Sequence, residues 1–195
     1  MSKKREICNT MKMLYNYGYN SVRDGNISFK AFNTSEFIIT PGGVRKNNLS
    51  EFEIVTAQLK KDYPYYQFPY YNSAQNVSRE VGFHSKILQK EKNDCYVIHC
   101  HPKNTVAYMG INVFNNELNN IKIYFPEIQV DIGTNVLDIQ AGTEELSSSV
   151  SKNIEKVGIV GLKNHGVVSK GETIEDALEN IFTLEYYCEI VNKSF

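Results

Sequence analysis

The sequence predicts a layered fold of α-helices and β-strands, an α/β or α+β sandwich. Helical and strand-like segments alternate along the 195 residues, several predicted strands are joined by hairpin-like turns, and 42% of the residues are hydrophobic. This length and composition suit one domain over residues 1–195, or one subunit of an oligomer. No repeat, low-complexity tract or obvious linker divides the sequence.

Four helices are predicted from apolar spacing at the helical period and from capping residues. In chain order they cover residues 3–17, 78–91, 143–156 and 173–191. Gly18 is placed to end the first helix in a left-handed cap. Ser78, Thr143 and Thr173 are suitable N-caps, and Asp176 completes a capping box with Thr173.

Strands are predicted where β-branched and aromatic residues lie between turn signals. They cover residues 25–32, 36–43, 94–102 and two segments of 157–171 that flank an Asn164-His165-Gly166 turn. Residues 122–132 are expected to be extended and interrupted by Pro126. The tyrosine-rich residues 61–77 follow neither period, and we expect a loop there.

Composition and charge argue against several classes of function. The formal charge of −1 and the interspersed signs argue against nucleic-acid binding, which favours clustered Lys and Arg. No run approaches the roughly 20 apolar residues of a membrane span, and residues 1–20 hold no apolar signal segment. The four cysteines lack C-x-x-C spacing, so reduced thiols are expected over disulfides. We therefore expect a cytoplasmic protein with no nucleic-acid or membrane partner.

Two of the four histidines stand one residue apart in the predicted strand "VIHCHP". Side chains at positions i and i+2 of a strand share a face, so His99 and His101 can converge on one ion while Cys100 points into the core. The alternative is one histidine packed in the core and one solvated at the strand end. The spacing alone leaves both interpretations open, because a metal site needs more than two ligands.

Further ligands come from elsewhere in the chain. His165 lies in a tight turn between two strands, where Gly166 allows close backbone approach. Glu80 and His84 are four residues apart on one predicted helix, so they share a face and one of them can complete the coordination sphere. Three imidazoles and a carboxylate suit zinc or another divalent first-row ion. Glu80 has a simpler alternative role as a first-turn carboxylate favoured by the helix dipole.

These residues fall in motifs that resemble the class II aldolase and adducin family. The motifs follow the family's order: "DGNISFK" with "FIITPGGV", then "SREVGFH", "VIHCHP" and "GLKNHGVVSKGETIEDALENIFTLE". The family includes fuculose-phosphate and rhamnulose-phosphate aldolases, ribulose-phosphate 4-epimerase, methylthioribulose-phosphate dehydratase and an oxo-tetronate-phosphate decarboxylase. The resemblance implies a three-layer αβα sandwich with a mixed, mostly antiparallel central sheet.

The resemblance also implies roles for the candidate residues. It places His99, His101 and His165 on Zn²⁺, or on another divalent metal such as Mn²⁺. It makes Glu80 the catalytic acid/base and a further metal ligand, and His84 a packing residue. The residues that it implies at the substrate phosphate are Asn26, Ser28, Gly42, Gly43 and Ser78.

The implied activity is that of a lyase on a small phosphorylated sugar or sugar acid. Retro-aldol cleavage through a metal-stabilised enediolate is the first expectation, and a decarboxylase, a 4-epimerase or a dehydratase are alternatives. A non-catalytic binding module of the adducin type is a further alternative. Retention of the three histidines and Glu80 favours an enzyme, because a binding module has no need for a partly desolvated polar cluster. The resemblance implies a homotetramer with active sites between subunits.

Some positions depart from the family pattern. Arg79 stands where many of the aldolases have a second serine, and its guanidinium either binds a phosphate or substrate carboxylate or lies in solvent. The tyrosine proton donor of the aldolases aligns near Asp138. The tyrosine-rich loop 64–71 is another source of a donor, although packing is the expected use of its tyrosines. A partner subunit is then expected to supply the missing donor.

Overall fold

A seven-stranded sheet between two layers of helices forms the protein, as the computed structural model shows for residues 2–62, 64–68, 77–110, 118–133, 139–140 and 142–194. In chain order the strands are β1 Asn26–Lys30, β2 Glu36–Ile39, β3 Val55–Leu59, β4 Tyr66–Gln67, β5 Cys95–Cys100, β6 Ile159–Leu162 and β7 Gly166–Gly171. Their order across the sheet is β4-β3-β2-β1-β5-β7-β6, and all six neighbouring pairs are antiparallel. One isolated parallel bridge joins Ile132 to Ile159. The predicted α/β sandwich with a mostly antiparallel sheet is confirmed.

Helices cover both faces of the sheet. They are α1 Lys3–Asn16, α2 Val81–Lys90, α3 Lys103–Gly110, α4 Ile121–Tyr124, α5 Glu144–Asn153 and α6 Ile174–Ser194. Apolar side chains of α1, α3 and α6 pack on one face of the sheet, and those of α2 and α5 pack on the other. Among the described residues, no helix combines the length and the hydrophobicity needed to cross a membrane.

Successive side chains of strand β5 pack alternately into the two hydrophobic cores on either side of the sheet. Tyr96, Ile98 and Cys100 belong to the core under α1, α3 and α6, whereas Cys95 and Val97 belong to the core under α2 and α5. His99 shares the parity of Val97 and therefore faces the α2 layer, where Phe83 packs against its ring at 5.8 Å between centroids. Cys100 lies in the opposite core, as predicted, and all four cysteines are free and buried.

Three predicted helix ends are confirmed in detail. Gly18 follows α1 with a φ of 74°, the left-handed conformation that glycine adopts without strain. Thr143 caps α5, because its side chain accepts a hydrogen bond from the backbone of Leu146 at 3.2 Å. Thr173 and Asp176 form the reciprocal bonds of a capping box before α6, at 2.9 and 3.1 Å.

The start of α2 differs from the prediction. The helix begins at Val81 with Glu80 as its N-cap residue, so Ser78 lies two residues before the cap. The Ser78 hydroxyl nevertheless accepts a bond from the backbone of Glu80 at 3.3 Å, and the Ser78 carbonyl accepts one from Val81 at 3.2 Å. The bend at 79–80 thus replaces the first helical turn, and it turns the Glu80 side chain toward β5.

The expectation of an extended segment at 122–132 is wrong. Residues 118–124 form a short 3₁₀ turn and then α4, and Pro126 follows the end of that helix. Leu118 and Ile121 are fully buried at a spacing of three, which is a helical period. The apolar residues that follow Ile121 alternate as in a strand, and this pattern led to the prediction of an extended segment. Helix α3 and strand β3 were not predicted, and the short strand β4 lies inside the expected loop at 61–77.

Candidate functional site

Three histidines meet beside the exit of β5. His99 is the penultimate residue of that strand, His101 follows its end, and His165 lies in the turn between β6 and β7. The Nε2 atoms of His99 and His101 are 3.0 Å apart, and one ring nitrogen from each of the three histidines lies within 4.8 Å of the others. The structure thus brings together the three imidazoles that the sequence singled out.

The β6–β7 turn reaches the β5 exit because glycine follows His165. A Cβ atom on Gly166 would lie 2.3 Å from the carbonyl oxygen of Cys100 and 2.6 Å from a ring carbon of His101. Any side chain at this position would push the turn away from β5. Asn164 completes the turn in the left-handed region, with a φ of 59°. Asn tolerates this conformation and Gly166 allows the close approach, which together explain why the Asn-His-Gly sequence can place an imidazole there.

Hydrogen bonding prepares the His99 ring to bind a cation. Its Nδ1–H donates to the carbonyl of Val167 at 2.9 Å, so the lone pair of Nε2 is left for the cluster. Burial, with smaller contributions from His99 and His165, lowers the pKa of His101 to about 3. A neutral imidazole with an available lone pair is the form that binds metals.

Glu80 adds a carboxylate to the histidine cluster. Its Oε2 lies 3.4 Å from Nε2 of His99, and its Oε1 lies 3.8 Å from Nε2 of His165. Burial raises the pKa of this carboxyl, but the neighbouring His99 and the hydrogen bond from Asn26 outweigh that effect, and the net shift is downward. The side chain therefore stays a carboxylate.

The cluster fits a divalent cation on its own geometry. Oε1 of Glu80 is buried and accepts no hydrogen bond from the residues that the structure describes. A buried carboxylate oxygen without a donor is costly, and a cation shared with three ring nitrogens would satisfy it. Three nitrogen ligands and one carboxylate oxygen are a donor set that zinc and neighbouring first-row metals accept.

A hydrogen-bonded chain holds Glu80 in place from behind. The Ser28 hydroxyl donates to Nδ1 of His84 at 2.7 Å, and Nε2 of His84 donates to the side-chain oxygen of Asn26. The Asn26 amide then donates to Oε2 of Glu80 at 2.7 Å and to the Ser78 hydroxyl at 3.1 Å. His84 is fully buried, and burial lowers its pKa to about 3, so it stays neutral. His84 thus orients Asn26 instead of approaching the cluster.

A pocket of about 320 Å³ opens beside the cluster. His101, His165 and Glu80 line one side of it. Of the six residues expected at a phosphate, five line this pocket: Asn26, Gly42, Gly43, Ser78 and Arg79. The sixth, Ser28, is fully buried behind Asn26 and is bonded to His84, so it supports the pocket without lining it.

The family of the protein follows from a comparison of its sequence with family models. Residues 5–191 match the model of the Class II Aldolase and Adducin N-terminal domain. The chain belongs to the class II aldolase and adducin family. An L-fuculose phosphate aldolase of Methanococcus maripaludis strain S2 is 26% identical over 189 residues, which cover 93% of this chain and 94% of that protein.

Solved structures of class II aldolases share the fold. The sugar-phosphate aldolase of Thermotoga maritima superposes with a TM-score of 0.74 at 21% identity, over 97% of this chain and 93% of that one. YgbL of Escherichia coli, described as a candidate aldolase, epimerase or decarboxylase, superposes with a TM-score of 0.79 at 19% identity, over 96% of this chain and 87% of that one. At these identities the likeness supports the class II aldolase fold and leaves the reaction open.

This class II aldolase domain has pocket residues that the sequence did not single out. Arg23, Asp24 and Lys46 also line the pocket. Arg23 donates to the carbonyl of Gly43 at 2.5 Å, and the backbone of Lys46 donates to the carbonyl of Val22 at 2.8 Å. These bonds join the loop before β1 to the loop after β2. Arg23 and Asp24 directly precede the "GNIS" motif, and this position is the signal that could have identified them.

The two suggested sources of a proton donor lie wholly or partly outside the described residues. Asp138, and residues 69–71 of the tyrosine-rich loop, lie outside the described residues. Tyr65 of that loop donates to Glu144 at 2.7 Å and accepts from Lys86 at 3.1 Å. It therefore joins the loop to α2 and α5, in keeping with the packing role expected for these tyrosines.

Proposed function

We propose that the protein is a divalent-metal-dependent lyase that cleaves a small phosphorylated sugar or sugar acid by a retro-aldol reaction. One observation carries the proposal: three imidazoles and a buried, unsatisfied carboxylate oxygen meet at the edge of a polar pocket. The relative named L-fuculose phosphate aldolase supports a sugar phosphate as the substrate. Zinc is the proposed native metal and manganese the alternative, because imidazole and carboxylate ligands suit both.

The chain's own residues divide the work between holding the ion and positioning the substrate. His99, His101 and His165 would hold the ion, with Oε1 of Glu80 as the fourth ligand atom. A bound divalent ion supplies Lewis-acid stabilisation of the negative charge that develops beside the breaking bond. The Val167 carbonyl keeps the His99 ring in its ligand tautomer throughout.

Glu80 is the proposed proton carrier. Its carboxylate lies beside the pocket and is held at Oε2 by Asn26. When substrate binds, Oε1 would leave the ion and could take the proton while Oε2 keeps its hydrogen bond. The Asn26 bond keeps this group aimed at the substrate. Positioning of this kind converts an encounter between two groups into an intramolecular step.

Backbone and side-chain donors on the far side of the pocket would bind the phosphate. Gly43 has a φ of 70°, and a Cβ on Gly42 would lie 2.6 Å from the carbonyl of Val77, so only glycine allows this turn to pack so closely. Turns of this shape present backbone N–H groups to anions. Ser78 and the Arg79 guanidinium lie on the same pocket wall.

Decarboxylation of a phosphorylated 3-oxo sugar acid is the second candidate. The exposed side chain of Arg79 lines the pocket, and no described residue forms an ion pair with it. A free guanidinium can bind a substrate carboxylate in bidentate geometry. YgbL, which is described as a candidate aldolase, epimerase or decarboxylase, supports this second candidate.

Metal analysis and a substrate panel test the proposal. We expect one bound divalent ion per chain, and turnover of either ketose 1-phosphates, read as released aldehyde, or 3-oxo acid phosphates, read as CO₂. Glu80→Gln should lose turnover by about 10²-fold or more, as expected for a general acid/base. Glu189→Gln, an exposed glutamate on α6, is the matched control and should keep full activity. A protein that binds no metal and turns over nothing with added zinc or manganese would instead be a binding module of the adducin type.

The assembly stays a prediction as well. A homotetramer is expected from the resemblance, and light scattering of the purified protein checks it.

A further inference from the structure

Lys46 is a buried cation in the pocket wall. It begins the short 3₁₀ helix Lys46–Asn48, and its side chain is 1% exposed. Its ammonium donates to the carbonyl of Pro41, directly before the Gly42–Gly43 turn. Among the described residues, no carboxylate lies within ion-pairing distance of it.

An ammonium group in this position is electrostatically unsatisfied. It has three N–H donors, and the structure shows a partner for one of them. Burial lowers the pKa of Lys46 to about 8, while the carboxylates of Asp24 and Glu53 oppose that shift from a distance. The group therefore still carries its charge at neutral pH, and a buried charge without a counter-ion is costly.

The surroundings of Lys46 are built as a preformed wall. The Lys46 backbone is bonded to Val22, and Arg23 is bonded to Gly43, so the loop before β1 is fastened at two points to the loop that carries the Gly42–Gly43 turn. The pocket that Lys46 lines also contains Ser78 and Asn26. The unused donors of a buried cation thus adjoin a cavity with further neutral donors, which is the composition of an anion-binding site.

We propose that Lys46 is a ligand-binding residue that supplies the counter-charge for the phosphate of the substrate from beneath the Gly42–Gly43 turn. The inference rests on the proposed function in one respect, the phosphorylated substrate. It goes further by assigning the interior positive charge of the site to a residue outside the motifs that carry the resemblance. Lys46, and not only the serine, glycine and Arg79 donors, then selects a dianion over a neutral group.

Inorganic phosphate is the probe, titrated calorimetrically into the protein with and without zinc. Lys46→Met removes the charge and keeps an apolar stem, and Arg45→Met removes the same charge from an exposed neighbour that does not line the pocket. We expect Lys46→Met to bind phosphate at least about tenfold more weakly, because it loses one charge-assisted hydrogen bond. Phosphate affinity should be unchanged in Arg45→Met. Unchanged phosphate affinity in Lys46→Met would overturn the inference.

Thermal melting separates a binding role from a structural one. If Lys46 binds the ligand, Lys46→Met without phosphate should melt no lower than the unsubstituted protein, and the upward shift caused by a given phosphate concentration should become smaller. If Lys46 only supports the turn, the variant should melt lower and keep its phosphate shift, which refutes the inference. Lys46→Gln keeps a donor for the Pro41 carbonyl. If Lys46→Met does not fold, Lys46→Gln decides by the same two readouts.

The pH dependence of binding adds a third readout. The groups that face Lys46 across the pocket or act on it are Arg23, Arg79, Asp24, Glu53 and Glu80, with His101 and His165 beyond them. All of these groups are present in Lys46→Met. The difference between the pH profiles of phosphate affinity for the two proteins therefore isolates the contribution of Lys46. Phosphate affinity should fall in the unsubstituted protein as the pH rises through about 8, and this fall should be absent in the variant.

These titrations also keep the two proposals apart, because they need no turnover. A protein that binds phosphate through Lys46 but cleaves no substrate refutes the lyase and leaves the Lys46 site standing. If the protein is an active lyase and Lys46→Met binds phosphate as tightly as the unsubstituted protein, the Lys46 site alone is refuted.

Discussion

Replacing Glu185 with alanine is expected to destabilise the fold and to weaken metal binding, because this buried carboxylate caps the helix that follows His101. Glu185 lies on α6 and is 5% exposed. Its two oxygens accept bonds from the backbone and side chain of Asn104, both at 3.0 Å, and from the backbone and side chain of Thr105, both at 2.8 Å. Both residues lie in the first turn of α3, whose N–H groups have no helical partner.

The magnitude follows from these four bonds. Alanine would leave two backbone N–H groups and the Thr105 hydroxyl buried without an acceptor, and each such group costs roughly 1–3 kcal/mol. Some of these groups will find water or shift, so we expect a loss of about 3–5 kcal/mol in the free energy of unfolding. Glu185→Gln keeps one acceptor oxygen and should lose about half as much.

Urea denaturation of the metal-free protein measures the effect. The control is Glu189→Ala, four residues further along α6, which removes an exposed pair with Lys193 and should cost less than about 1 kcal/mol. Zinc affinity of the folded variants is the second measurement, and it should fall for Glu185→Ala because His101 directly precedes the segment that loses its anchor. A Glu185→Ala protein as stable as the Glu189→Ala control would refute the argument.

Three further predictions concern the histidine cluster, the residue that supports it and Lys46. His99→Ala and His165→Ala should each abolish stoichiometric metal binding, measured by elemental analysis after dialysis, because either change leaves only two imidazoles. His84→Leu should lower the free energy of unfolding by about 2–4 kcal/mol in chemical denaturation, since it leaves the Ser28 hydroxyl and the Asn26 carbonyl buried without partners; an unchanged value would contradict the hydrogen-bonded chain. The pKa of Lys46 is lower in the folded protein, about 8, than its usual 10.5, so the unfolded chain binds more protons between these values. Stability of the unsubstituted protein relative to Lys46→Met should therefore rise with pH across that window, and a flat difference would show that Lys46 is not buried as described.

Elements with strong local signals were predictable from the sequence. The caps Gly18, Thr143 and Thr173 are short-range features, so the pattern of neighbouring residues was enough to find them. The convergence of His99 and His101 followed from strand parity, which depends on two residues alone. The turn position of His165 made it a candidate third ligand, but only the resemblance placed it beside the other two, because no local rule states which strands are neighbours.

Features that depend on tertiary contacts were missed. Residues 121–124 include two β-branched isoleucines and a tyrosine, which favour a strand. Burial of Ile121 against the core favours the helix that the structure shows. Ser28 belongs to the same "GNIS" motif as Asn26, but its partner His84 is far away in sequence, so the sequence did not indicate what its side chain contacts. Lys46 belongs to the polar run "RKNN", which predicts exposure, and only the packing of the 3₁₀ helix against α1 buries it.

The histidine cluster also joins the exit of β5 to the β6–β7 turn, beyond Cys100–Val167, the last residue pair of the β5–β7 ladder. His99 and His101 end β5, while His165 belongs to the turn at the far end of the β6–β7 hairpin. An ion held by all three rings would act as a reversible cross-link between the β6–β7 hairpin and strand β5, comparable to a disulfide between two loops. Removing the ion with a chelator should then increase the mobility of the 163–166 turn before that of the sheet. Faster amide hydrogen exchange in that turn would show this effect.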